Sequence, residues 1–265
     1  MGHGYRDEER GAISSFAPVL LANLLPLGGF IWFGWHIREV LVIYWLEILV
    51  TLILYSGAAL FAERRIVLEG RTLFLPGVNR KKELDESTWG TDPEGVRLAD
   101  RLPLIYRRNA RLVWRSLVWG IGFSALPLVL YQSAIEAAIS PAVVGSVLVM
   151  AVSQLAEIRR EFFGEQKYEA MSAHMVLEIP CRIIFFMGAW ILLLQTVGIF
   201  FLLGVGAVFG STAKHVRTEN VIEIVYVTVL VLGKFTVEWA RFRANHEENP
   251  GRIRNWFTPQ DPLAE

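Results

Sequence analysis

Residues 40–62 read Val40-Leu-Val-Ile-Tyr44-Trp-Leu-Glu47-Ile-Leu-Val-Thr51-Leu-Ile-Leu-Tyr55-Ser-Gly-Ala-Ala-Leu-Phe-Ala62, and in this run Glu47 is the one charged residue. A helix rises 1.5 Å per residue, so about 20 mostly apolar residues cross a hydrocarbon core ~30 Å thick. The stretch therefore predicts a membrane-spanning helix that carries a carboxylate with it. A barrel is excluded, because strands apolar on both faces have no polar lumen side.

Five further segments pass the same test: 12–33, 113–135, 139–158, 179–204 and 221–240. With 53% hydrophobic residues in 265 and a mean hydropathy of +0.39, the composition is that of an integral membrane protein. The expected fold is all-α, a polytopic helical bundle of six transmembrane helices forming one membrane domain over 1–265. The 26 basic and 26 acidic residues cancel, which gives no argument for nucleic acid as a partner. Cys181 stands alone, so no intramolecular disulfide forms, and its place in an apolar block reads as a small buried hydrophobe. The polar start, Met1 to Gly11, lacks the pattern of a cleaved signal, and the first apolar block is expected to stay as an anchor.

Local signals mark the ends and bends. Asn23-Leu-Leu-Pro26 predicts a kink in the first helix. Trp32 and Trp35 suit an interfacial belt beside the short link Trp35-His-Ile-Arg-Glu39. The polar segment 63–112 carries eleven basic residues, with an apolar dip at Leu73-Phe-Leu-Pro76. Asp92-Pro93-Glu94 reads as the start of an interfacial helix running to Leu102. Each basic residue there could hold an anionic lipid headgroup for about 1 kcal/mol, although a solvated loop that sets orientation explains them too. Ser140-Pro141 is a cap followed by a first-turn proline. Gly198, Gly204, Gly206 and Gly210 offer bends or a close helix contact in an over-long fifth segment. Asn220 and Glu223 have capping-box spacing.

Lysine and arginine lie twenty-one on one side of the six spans and three on the other, the three being Arg38, Lys214 and Arg217. The positive-inside rule then places both termini, the 63–112 loop and the tail 241–265 in the cytoplasm, with the protein in the plasma membrane. Trp114 and Trp239 fall at the cytoplasmic belt. Leu25-Pro26-Leu27 before Glu47 and Leu126-Pro127-Leu128 before Glu157 look alike, but their proline-to-glutamate spacings differ, and no internal repeat follows.

Polar residues inside the spans recur at helical spacing. The second helix has Tyr44, Glu47, Thr51 and Tyr55; the fourth has Ser146, Ser153 and Glu157; the sixth has Tyr226, Lys234, Glu238 and Arg241. In lipid such stripes turn inward, so Glu47, Lys234, Tyr44, Glu238 and Glu157 are the candidate polar centre of the bundle. An unpaired charge at that depth costs at least ~2.5–3.5 kcal/mol on insertion scales. Glu47 and Lys234 are thus expected to pair, while Glu238, one turn on, is a second partner for Lys234 in the less favourable order. Such a pair either locks the packing or forms a substrate, ion or proton site.

Enzyme signals are sparse. The five histidines, His3, His36, His174, His215 and His246, have no metal-ligand spacing; His36 with His215, or His174 with His246, would meet only through the fold. Neither a Gly-x-Ser-x-Gly elbow nor a phosphate-binding loop is present, so no cofactor is expected. Glu157-Ile-Arg-Arg-Glu161 faintly resembles carboxylate-rich motifs of membrane proteases, and a charged helix end explains it better.

Asn23-Leu-Leu-Pro26, Gly34-Trp35, Tyr44-Trp45-Leu-Glu47, Lys234-Phe-Thr-Val-Glu238 and His246-Glu247 together resemble a family of archaeal and bacterial multi-spanning membrane proteins that is known only as a domain of unknown function. In that family a lysine on the last helix is followed four residues later by an acid, usually aspartate, and then by histidines. Here the acid is Glu238, and Phe242 replaces a histidine. The resemblance implies a membrane fold and puts weight on Glu47 and Lys234 without implying an activity. The functions expected from the sequence are a small-solute or proton-coupled carrier or channel; a membrane scaffold or regulatory subunit; or a membrane-embedded enzyme. Homo-oligomerisation is left open.

Overall fold

The computed structural model describes residues 24, 26–65, 95–98, 100, 102–130, 136–209, 218–246 and 256. Among them the fold is mostly helical: α1 Ile37–Ala59, α2 Arg107–Leu130, α3 Pro141–Ile158, α4 Lys167–Ala170, α5 Ala173–Phe209 and α6 Thr218–His246, with a π-helical turn over Arg159–Gly164. Residues 26–32 are also helical. Among the described residues, three helical stretches are long and apolar enough to cross a membrane: Ile37–Ala59, Pro141–Gly164 and Ala173–Gly198. The outward face of α3 presents Val144, Leu148, Val149, Val152 and Leu155, a contiguous apolar surface that suits lipid and is costly in water.

Several local expectations change. Gly95–Val96 pairs as a short antiparallel strand, β1, with Ile105–Tyr106, β2, so the interfacial helix to Leu102 does not form. Gly95 is a poor helix former, and its bare Cα admits the Leu104 side chain, which a Cβ would meet at 2.8 Å. The fifth segment begins at Ala173, seven residues before Pro180, and runs on past Gly198 and Gly204 to Phe209. Pro180 thus sits inside a helix, where it withholds a donor from the Val176 carbonyl. The sixth begins at Thr218, which places Asn220 within the helix rather than at its cap. Ser140 does cap α3: its Oγ accepts from the Val143 amide at 3.3 Å, with Pro141 in the first turn. Asn23, the segment 66–94 and Gly210 lie outside the described residues.

The chain packs as two compact units, Met1–Leu41 with Phe185–Arg254 and Val42–Ile184 with Asn255–Glu265. In the first, the turn before α1 depends on glycine. Gly34 adopts φ +67°, and a Cβ on Gly29 would meet the Trp35 ring at 2.1 Å. The left-handed residue ends segment 26–32 and lets Trp35 fold back over Gly29. Glu39 then accepts from the His36 amide at 2.9 Å, which is the return half of a capping box for α1.

In the second unit, the end of α1 is closed by the chain entering α2. The last turn of α1 leaves carbonyls with no helical donor. Asn109, fully buried, donates through Nδ2 to the carbonyls of Ala59 at 3.0 Å and Ala62 at 2.8 Å. The Tyr106 amide donates to the Leu60 carbonyl at 3.0 Å, and Arg108 Nη2 donates to that of Glu63. The strand-like stretch beyond is held by Glu63 N to Tyr168 O at 2.9 Å and Arg64 N to Met171 O at 3.2 Å. Ala58, Ala59, Ala62, Leu112, Ile158, Phe162, Leu177 and Cys181 form the apolar core beneath these bonds. The end of α1, the start of α2, the end of α3 and the start of α5 therefore meet at one end of this unit. Glu63 also raises the hydroxyl pKa of Tyr106, adding to the larger effect of burial.

Candidate functional site

Within the second unit, α1 turns Tyr44, Glu47 and Thr51 inward, and all three are buried. Spacings of three and four residues place them on one helical stripe. Across from them α3 supplies Gln154. Thr51 Oγ1 lies 2.9 Å from Gln154 Oε1 and 2.8 Å from the Glu47 carbonyl one turn back, and Gln154 Nε2 approaches Glu47 Oε1 at 3.4 Å. A hydroxyl has a single proton to give, so Thr51 is shared between its own helix and the α3 carboxamide. The result is a carboxylate, a hydroxyl and a carboxamide gathered between two helices that are each long enough to cross a membrane. A buried carboxylate beside a carboxamide and a hydroxyl has the chemistry to exchange a proton or accept a small cation.

Gln154 was not among the residues singled out from the sequence, where Ser146, Ser153 and Glu157 stood for the fourth helix. Ser146 is buried but bonds its own Ala142 carbonyl at 2.8 Å. Ser153 is exposed and Glu157 half-buried. The buried arc runs through Val143, Ser146, Met150 and Ile158. At about 100° per residue, that arc is centred to the Gln154 side of the Ser146 to Glu157 line, which leaves Ser153 beyond its edge. Periodicity marked the stripe, and only the neighbouring helix showed how far it was rotated.

In the first unit, α6 carries Lys234 with 4% of its surface exposed. Its Nζ donates to Glu238 Oε1 at 2.6 Å, and Arg241 Nη1 approaches Glu238 Oε2 at 3.4 Å. Within α6, Lys234 and Glu238 thus meet across one turn, and Glu238 is held between two cations. Next to Lys234, Gly233 makes room for Trp190: a Cβ there would meet Trp190 Nε1 at 2.1 Å, and that indole donates to the Val229 carbonyl at 3.2 Å. Phe186 stacks on Trp190, so α5 lays a flat aromatic pair against the backbone beside Lys234.

A second buried charge pair was missed in the sequence because its acid and base fall at the start of an apolar block. Glu178 and Arg182, 2% and 3% exposed, join at 2.6 Å on α5. Their i,i+4 spacing was a readable signal.

Among the described residues no group of three or more His, Cys, Asp or Glu side chains is placed to hold a metal ion. His174 lies within 2.7 Å of the Ser172 hydroxyl just before α5, and His215 lies outside the described residues.

A family model described as a family of unknown function (DUF6498) matches residues 6–88. The match contains α1 with Tyr44, Glu47 and Thr51, and it ends before Gln154 and Lys234. No curated protein matches the chain, and no solved structure does.

Proposed function

We propose that this protein is a six-helix membrane carrier or channel, with both termini cytoplasmic, that moves a small solute or protons past Glu47. The observation that carries this reading is the buried cluster of Glu47, Thr51 and Gln154 between two membrane-length helices. Carboxylates in such surroundings are expensive and mark proton or ion pathways in membrane proteins. Gln154 and Thr51 place uncharged polar groups beside the carboxylate, which suits a site that a proton or small solute passes.

Reconstitution into liposomes loaded with a proton-sensitive dye tests it. A pH or voltage gradient should drive proton flux in the wild type, and Glu47→Gln should abolish the flux while the protein still folds and inserts. Absence of flux under every gradient and solute tried would overturn the reading. Single cysteines at 64 and 241 should be labelled only from the cytoplasmic side, and one at 38 only from the opposite side.

One feature favours a scaffold or regulatory subunit instead. The buried ion pairs Lys234–Glu238 and Glu178–Arg182 each close within one helix, an arrangement that fixes packing without leaving a mobile charge. In that case Glu47→Gln would lower expression and leave no transport phenotype.

A further inference from the structure

We infer that the Glu178–Arg182 pair on α5 is a docking site for the protein's own C-terminal tail, with Trp256 as the occupant. The guanidinium of Arg182 is almost wholly buried, and its Nη2 donates to Glu178 Oε1. Arg182 Nη1 donates to the backbone carbonyl of Trp256, and the Trp256 indole covers the guanidinium at 5.8 Å from its ring centroid. Three different interactions therefore converge on one planar cation: a carboxylate, a carbonyl and an aromatic face. Arginine suits this role because its planar fork bonds in two directions while its face stacks on a ring.

Glu178 and Arg182 are four residues apart on one helix, whereas Trp256 lies 74 residues further along the chain. The first contact forms with the helix itself. The second must be brought in from the tail, and it can be lost without unfolding α5. Release of Trp256 would take away the carbonyl at Nη1 and the ring over the guanidinium face. The tail is thus a latch on a pre-formed ion pair, and this holds whether or not the protein transports anything.

The test is hydrogen–deuterium exchange of full-length protein in lipid nanodiscs, read on the peptide that contains Trp256. In the wild type that peptide should exchange at least about tenfold more slowly than an unstructured chain. Trp256→Phe, which keeps an aromatic face and the carbonyl, should retain most of the protection. Trp256→Ala and Arg182→Gln should lose it, with exchange over Ala173–Phe209 unchanged in Trp256→Ala. Should Arg182→Gln fail to fold, Trp256→Ala against Trp256→Phe decides alone, because position 256 is outside every helix. Free-chain exchange at Trp256 in the wild type, or equal protection in Ala and Phe variants, would overturn the inference.

Discussion

The Lys234 ammonium lies 2.6 Å from the Glu238 carboxylate on the next turn of the same helix. The acid that neutralises this buried base is thus supplied by local chain geometry. Removing one member leaves a buried, uncompensated charge, which typically costs about 3–5 kcal/mol. Glu238→Gln should therefore destabilise strongly, because it removes the carboxylate that Lys234 and Arg241 share. The double variant Lys234→Met with Glu238→Gln should recover a large part of that loss. Thermal unfolding in one detergent, arranged as a double-mutant cycle, measures the coupling; additive losses would show that the pair contributes nothing.

Gln154 bridges α1 and α3 through Thr51 and Glu47. Gln154→Leu removes the carboxamide from both contacts and should lower stability by about 1–3 kcal/mol, the range for losing a buried polar partner. Gln154→Glu keeps the shape but puts a second carboxylate beside the first, and like charges so close repel, so between pH 5 and 8 it should cost more stability than the leucine variant. Equal melting temperatures for the two variants across that range would contradict the placement.

Asn109 closes the end of α1 with two hydrogen bonds from one amide nitrogen. Leucine there fills the space but leaves the Ala59 and Ala62 carbonyls without that donor. A loss of about 1–3 kcal/mol is expected, with hydrogen exchange rising first over the last turn of α1 and at Tyr106.

Gly233 is the contact point for Trp190. Gly233→Ala should cost about 1–3 kcal/mol through overpacking, and Trp190→Phe should restore much of it by shrinking the ring. Gly57→Ala is the control, since nothing lies within 4 Å of its Cβ position, and it should be tolerated.

Alkaline pH should loosen the end of the second unit where Tyr106 and Tyr168 sit. Both hydroxyls have raised pKa values; burial is the main cause for each, followed by Glu63 for Tyr106 and Glu169 for Tyr168. A group whose folded pKa is raised adds stability that is complete below its unfolded value, about 10 for tyrosine, and is lost as pH climbs through the raised value. Unfolding midpoints should therefore fall above about pH 10, and Tyr106→Phe should flatten that fall.

Membrane-length apolar runs, the Ser140-Pro141 cap and the inward stripe of α1 were all legible in the residues, because each depends on neighbours within a few positions along one helix. The interfacial helix expected to Leu102 was misread. Gly95 and Val96 found a strand partner in Ile105 and Tyr106, a pairing that local propensity does not encode. Gln154 was overlooked for a related reason: a stripe has a direction in sequence, but the rotation of its helix is set by whatever packs against it.

By itself, then, the sequence determined that this chain forms long apolar helices with ionisable groups inside them, since hydrophobic length and helical period are properties of the single strand. Only the tertiary structure decided which groups meet. Within its own unit Glu47 has Gln154 and Thr51 beside it, Lys234 has Glu238, and Arg182 has Trp256 from the distant tail. Partner choice is a matter of angstroms across helices, and a buried charge takes the nearest acceptable donor or acceptor that packing brings to it.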